Sequence, residues 1–175
     1  MSGYPSVKVG LVKSLDDPQG FGRIELEFKK YPDVIRSAWA RVAAPMAGKD
    51  RGAFLMPEID DEVLVTFEDG DFDHPYIVGF LWNGVDLPPE TTNQNRVIKT
   101  PGGHELRFED TAGQKKVILK SEGGHRVEID DSAQTITVRA SSGNQTIILD
   151  DGTQSVTIRG GQRMIKMIGG FIVMT

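Results

Sequence analysis

Residues 125–160 read HRVEIDDSAQTITVRASSGNQTIILDDGTQSVTIRG, and this stretch decides the fold. Apolar residues alternate with polar ones in short runs: Val127 and Ile129, Ile136 and Val138, Ile147 and Leu149, Val156 and Ile158. A period of two marks β-strands with one apolar face, and the Asp-, Ser- and Gly-rich breaks between the runs mark turns. The same grammar extends outward. Gly102-Gly103, Gly123-Gly124, Gly143 and Gly161 recur at about 20-residue spacing, as do Phe108, Ile129 and Leu149, and again Leu119, Val138 and Ile158. Each unit is a strand, a turn (EDTAGQ, DDSAQ, DDGTQ), a second strand and a glycine corner. A single layer of such strands leaves an apolar face wet. A wide single-chain coil would cover it but usually needs more turns and larger cores. Three identical chains wound about a common axis, with backbone ladders running between chains, would close a narrow core from three short apolar faces, and this arrangement is preferred.

Upstream, to about Gly84, turn-punctuated strands follow one another. In RIELEF, Ile24, Leu26 and Phe28 share one face; in AWARVAAP, Ala40 and Val42 oppose Trp39, Arg41 and Ala43. EVLVTFEDGDFDHPYIVGFL reads as a hairpin in which Val63, Val65 and Phe67 alternate and Gly70 forms a positive-φ corner. MAGKDRG, residues 46–52, is expected to form a loop or a weak helical excursion. About five short strands of this size suggest a closed barrel of the OB type. VDLPPETTNQNR, residues 85–96, is polar, aperiodic and Pro-containing, and reads as a linker. The expected organisation is an OB barrel over residues 1–84, a linker over 85–98 and a repeated β needle over 99–175. The fold class is all-β.

Composition narrows the function. The 175 residues include no Cys, so no disulfide, thiolate metal site or cysteine nucleophile is available. Net charge is -5, against a broad phosphate-binding surface, and no partner nucleic acid is expected. The start, MSGYPSVKVG, lacks a secretory pattern, and no apolar run approaches a membrane-spanning length; the expectation is a soluble protein made in the cytoplasm. The cluster Glu68–His74 lacks the spacing of a calcium loop and reads as a hairpin turn. The carboxylate pairs Asp60-Asp61, Asp130-Asp131 and Asp150-Asp151 lie in turns, where capping explains them better than glycoside hydrolysis. Trp39, Phe54, Tyr76 and Trp82 could stack bases, but no basic stripe flanks them, so core packing or contact with a neighbour is preferred. Asn144 in NQT matches a glycosylation acceptor but sits in a repeat strand with no secretory signal. No catalytic, cofactor or metal residue is assigned.

Taken together, DDPQGFGRIELEF, the run from SAWARVAAPMAGKDRG to VGFLWNG, and TPGGHELRFED resemble the baseplate central spike family of contractile injection systems. This family takes in the VgrG proteins of type VI secretion, the T-even phage spike and related phage and pyocin spikes. The resemblance implies a homotrimer with an N-terminal OB-fold barrel followed by an intertwined triple-stranded β-helical needle. It implies a structural, non-enzymatic part that sits at the tip of the tail and punctures the target envelope on contraction. The trimer core would comprise Leu106, Phe108, Val117, Leu119, Val127, Ile129, Ile136, Val138, Ile147, Leu149, Val156, Ile158, Ile165 and Met167. The apolar end, Phe171, Ile172, Val173 and Met174, would dock a PAAR-type tip protein, since a bare apolar terminus implies a cap. A hub domain before the barrel and an inserted lysozyme domain are missing from the resemblance, so a separate hub protein is expected above the OB domain. His74, His104 and His125 do not form the His-x-His apex of the short phage spikes. Assembly would begin in the cytoplasm, and contact with the target membrane would come only on firing. The alternatives are an OB-type module for single-stranded nucleic acid or oligosaccharide with an oligomerising β tail, a cell-wall hydrolase, and a trimeric tail-fibre or adhesin segment.

Overall fold

The computed structural model describes residues 7–30 and 33–175, and it divides into two compact units, Met1–Leu87 and Pro88–Thr175. The alternating run SVKVGLVKSL reads as a strand, and its first residue, Ser6, lies outside the described residues.

The first unit contains β1 (Val7–Ser14), β2 (Glu25–Lys30), β3 (Asp33–Arg36), β4 (Arg41–Val42), β5 (Ala47–Gly48), β6 (Arg51–Gly52), β7 (Glu62–Phe67) and β8 (Pro75–Leu81). Its main sheet runs in the order β3-β2-β1-β7-β8-β4, with β4 parallel to β8 and the other neighbours antiparallel. The sheet closes on itself through Ile24 and Ala40, whose backbones exchange hydrogen bonds of 2.9 and 2.8 Å. The result is a five-stranded barrel of β1, β2, β4, β8 and β7, with β3 extending β2. Closure removes the edges that a five-stranded open sheet would expose.

The alternation seen in the sequence supplies the barrel interior. Val12, Ile24, Leu26, Ala40, Val63 and Val65 are fully buried, and Ile77 and Phe28 nearly so. Phe28, Phe67 and Phe72 form an aromatic cluster with ring centroids 5.2–5.9 Å apart. Gly10 lets the Phe28 ring approach: a Cβ at that position would stand 3.0 Å from its Cε1. The MAGKDRG segment is not a helical excursion but the β5–β6 hairpin, turned at Asp50 with φ of 55°. A two-residue connection cannot close a helical turn, and an Asp tolerates that left-handed backbone.

The second unit is one nine-stranded antiparallel meander: β9 (Asn95–Lys99), β10 (Glu105–Glu109), β11 (Lys116–Lys120), β12 (Arg126–Asp130), β13 (Thr135–Arg139), β14 (Gln145–Asp150), β15 (Ser155–Gly160), β16 (Arg163–Ile168) and β17 (Phe171–Met174). β9 begins inside the polar stretch read from sequence as linker. The ladders run from each strand to the next within one chain. Turns of two to six residues return each strand directly onto its predecessor. What one copy can offer another is therefore a face and two lateral edges.

Candidate functional site

Register fixes that face. Phe108, Val117, Ile129, Ile136, Leu149, Val156, Met167 and Ile172 pair in unbroken succession from β10 to β17. Two residues away along each strand, Leu106, Leu119, Val127, Val138, Ile147, Ile158, Ile165 and Met174 form a second succession. Directly paired residues, and residues two apart, point to the same side of a sheet. The structure thus brings all fourteen residues of the expected trimer core onto one face as two parallel columns. The 20-residue spacing becomes a stride of two strands: Phe108, Ile129 and Leu149 lie in the first column, Leu119, Val138 and Ile158 in the second. Of the four terminal residues, Ile172 and Met174 continue the columns, whereas Phe171 and Val173 point to the other side.

These columns are not buried within the chain. Ile129, Ile136, Ile147, Ile158 and Ile165 each remain 41% exposed, and Leu119 56%. The opposite face, which carries the charges, is the more sheltered of the two. There Ile118 and Asp130 are buried, and Lys116 bonds Asp130 at 2.8 Å and Glu128 at 3.4 Å. Arg126 pairs with Glu128 beside them. Lys116 and two turn amides, those of Ala133 and Ser132, hold the Asp130 carboxyl below its usual range. A sheet that shelters its charged face around Lys116 and Asp130 and leaves its apolar face open is built for association.

The turns are repeated devices. Thr100 and Ser121 accept the amides of His104 and His125 through their hydroxyls, each at 3.1 Å. Gly103, Gly124 and Gly143 donate back to Thr100, Ser121 and Ala140 with φ between 74° and 86°, the region that only glycine adopts readily. At the other edge, Asp130 and Asp150 cap the turns that follow them. The Asp150 carboxyl is held low chiefly by the Thr153 amide.

The segment before β9 is pinned by Glu90. Its carboxylate accepts from the amides of Thr91 and Thr92, from Asn95 and from Arg107, and the Asn95 bond leads the causes that hold its pKa far below the usual carboxylate range. Nothing in the composition of residues 85–98 signalled this. A lone Glu facing an Arg seventeen residues on is visible only once β10 is placed.

In the first unit, the carboxylates weighed as sites serve the turns. Asp71 accepts the Asp73 amide and His74 Nδ1, each at 3.0 Å, and Glu68 accepts the Tyr76 hydroxyl at 2.7 Å. Asp61 caps the Glu58 amide, and Asp60 pairs with Lys13. Asp17 accepts three amides, of Gln19, Phe21 and Arg23, plus the Arg23 guanidinium; the guanidinium is the main cause of its strongly lowered pKa. Among the described residues, no group of three or more His, Asp or Glu side chains is arranged to hold a metal ion. The aromatic candidates do not join. Tyr76 lies beneath Arg41, Trp39 is half-buried, and Phe54 and Trp82 are 79% and 70% exposed, outside the core assigned to them as one option. Phe54 belongs to an open groove with Phe21, Met46, Leu55 and Phe80.

Two family models match this chain. Residues 8–82 match the type VI secretion system/phage-baseplate injector OB domain, and residues 95–174 match the phage baseplate V C-terminal trimerisation domain. Among curated relatives, the type VI secretion system spike protein VgrG5 of Pseudomonas aeruginosa is 36% identical over 112 residues, 57% of this chain and 14% of that protein. The type VI secretion system spike protein VgrG3 of Vibrio cholerae is 31% identical over 134 residues, 66% of this chain and 13% of that protein. The actin cross-linking toxin VgrG1 of Vibrio cholerae matches at 31% over 66% of this chain and 12% of its own length. The chain thus spans between 12% and 14% of the length of these relatives. A closed OB-type barrel followed by a trimerisation meander, each matched by its own family model, makes this chain a member of the VgrG and phage-baseplate spike family.

Proposed function

We propose that three copies of the chain associate through the apolar faces of their meanders, giving a needle that acts as the spike at the tip of a contractile tail or type VI apparatus. The observation that carries this reading is the pair of open apolar columns from β10 to β17. Removing a Val, Ile or Leu from two-fifths exposure contributes about 1 kcal/mol. One residue per strand in each of two columns, in each of three chains, would be withdrawn from water together. Strands stacked at about 4.8 Å make a rod of about 40 Å, stiffened by continuous ladders along its length. The role is mechanical and non-enzymatic: the spike concentrates the force of sheath contraction on a small area of the target envelope.

The partners of this reading are a hub protein on the barrel side and a tip protein of the PAAR type at β17. Phe171, Ile172 and Met174 are among the most exposed apolar side chains of the unit, at 74%, 68% and 76%. Assembly in the cytoplasm and delivery outward on contraction follow from the same role. The test is a particle that carries this chain, compared with one lacking it. Loss of a density about 40 Å long below the tube, together with loss of dye uptake by target cells after contraction, is expected. Unchanged uptake without the chain would contradict the reading, and clearing of peptidoglycan by the purified chain would place it among the enzymes.

A further inference from the structure

The nine strands of the meander alternate in direction, so their turns fall on two lateral edges. Turns 100–104, 121–125, 140–144 and 161–162 lie on one; turns 110–115, 131–134, 151–154 and 169–170 lie on the other. From β12 onward the charges separate completely between them. Arg126, Arg139, Arg159 and Arg163 stand at or next to strand ends on the first edge, whose turns 140–144 and 161–162 carry no acidic residue; Glu122 lies in the turn before β12. Asp130, Asp131, Asp150 and Asp151 stand on the second, whose turns 131–134, 151–154 and 169–170 carry no basic residue; of these four, Asp130 is already held by Lys116 of β11.

Within one chain this arrangement is unfavourable. Arg126 and Arg139 are directly paired across the β12–β13 ladder, and like charges so placed repel. Arg126 has Glu128 beside it, yet its Nε is buried without an acceptor. Arg139, Arg159 and Arg163 are exposed and have no carboxylate partner in their own chain among the described residues. The aspartate edge of the same chain lies a strand length away, about 17 Å.

We infer that each copy sets its arginine edge against the aspartate edge of the next copy, in a closed ring of chains that all point the same way. The inference rests on the association of copies proposed above and specifies how they meet. Two observations carry it. Register matches the charges level by level: Arg126 and Asp130 stand at the two ends of one strand, Arg139 ends the strand that follows the Asp131 turn, and Arg159 is the penultimate residue of the strand that follows the Asp151 turn. Direction matters as well. A neighbour inverted along the stacking axis would set arginine on arginine and aspartate on aspartate, whereas a parallel neighbour sets each against its opposite. A head-to-tail contact of this kind closes as a ring, and the apolar columns then face its axis. The occupant of each edge is thus a second copy of this chain, and the acidic turns double as a selector against reversed pairing.

The test uses the intact chain and charge reversal. Arg139→Glu with Arg159→Glu makes one edge acidic; Asp131→Arg with Asp151→Arg makes the other basic. Each pair alone is expected to raise the concentration at which the assembly dissociates by about tenfold or more in low salt, with the defect shrinking as salt rises. All four substitutions in one chain restore opposite charge at every junction and return the assembly to wild-type behaviour. A second measurement is independent of stability. The chain has no cysteine, so Arg139→Cys with Asp131→Cys introduces the sole thiols, on opposite edges. Oxidation is expected to link the copies covalently into closed rings. Three outcomes overturn the inference: edge reversals without effect, a four-site variant no better than its parents, or an oxidised chain that stays unlinked. A wild-type chain that is monomeric overturns the association itself, which separates the two failures.

Discussion

Ile129 of β12 and Ile136 of β13 stand directly opposite each other across their ladder, on one face, and each keeps 41% of its surface in water. Cross-strand contact satisfies only the flanks of such a pair. The tops remain bare, and the same is true along both columns.

Replacing Ile136, Val138 and Ile158 with Asp puts charge into the middle of both columns. Buried unpaired carboxylates are not tolerated, so the variant is expected to sediment as single chains while the barrel unit keeps its own unfolding transition. A variant that still sediments as a stable trimer would show that the core lies elsewhere.

The barrel should respond separately. Phe67→Ala removes one ring of the mutually packed Phe28, Phe67 and Phe72 and is expected to cost about 3–5 kcal/mol in that unit. Gly10→Ala would drive a methyl group against the Phe28 ring, 3.0 Å away, and should destabilise the same transition by a smaller amount. Calorimetry of each variant checks whether only one of two transitions moves.

Gly124 has φ of 86°, and a Cβ there would meet the Ser141 Cβ at 3.3 Å. Gly124→Ala is expected to cost about 1–2 kcal/mol, read as a lowered midpoint of the meander transition. Gly160→Ala provides the control, because its φ is not positive and nothing stands near its Cβ position.

Acid should loosen both units. The Asp17 and Glu90 carboxyls titrate below their ordinary values because Arg23, Asn95, Arg107 and nearby amides stabilise the charged form. A group depressed on folding contributes its full stability above its unfolded pKa, about 4, and loses it as pH falls towards the folded value. Thermal midpoints are therefore expected to hold near neutrality and drop below about pH 4. Asp17→Asn should flatten that drop in the barrel transition, and Glu90→Gln should speed amide exchange in β9 and β10 at pH 7. An unchanged pH profile in Asp17→Asn would contradict this account of the loop.

Much of this was legible in the chain because period two is a local signal. Ile24, Leu26 and Phe28, and Val63, Val65 and Phe67, announce their buried face within six residues. The two columns follow from repeats such as Ile136 and Val138. What stayed hidden depends on partners distant in sequence. The Ile24–Ala40 bridge that closes the barrel and the parallel β4–β8 pairing leave no local pattern. Nor does the Glu90–Arg107 pair, or the separation of Arg139 from Asp131, which exists only once strand direction assigns each turn to an edge. Phe54 and Trp82 misled for a related reason: an aromatic side chain signals burial somewhere, without saying whether its own chain provides it.

Light scattering of the purified 175-residue chain at micromolar concentration tests the central claim most directly. Three copies covering one another's apolar columns predict a mass three times the 19.2 kDa of one chain, persisting on dilution. A well-folded particle of 19.2 kDa would contradict it, because its apolar columns would then be stable in water without a partner.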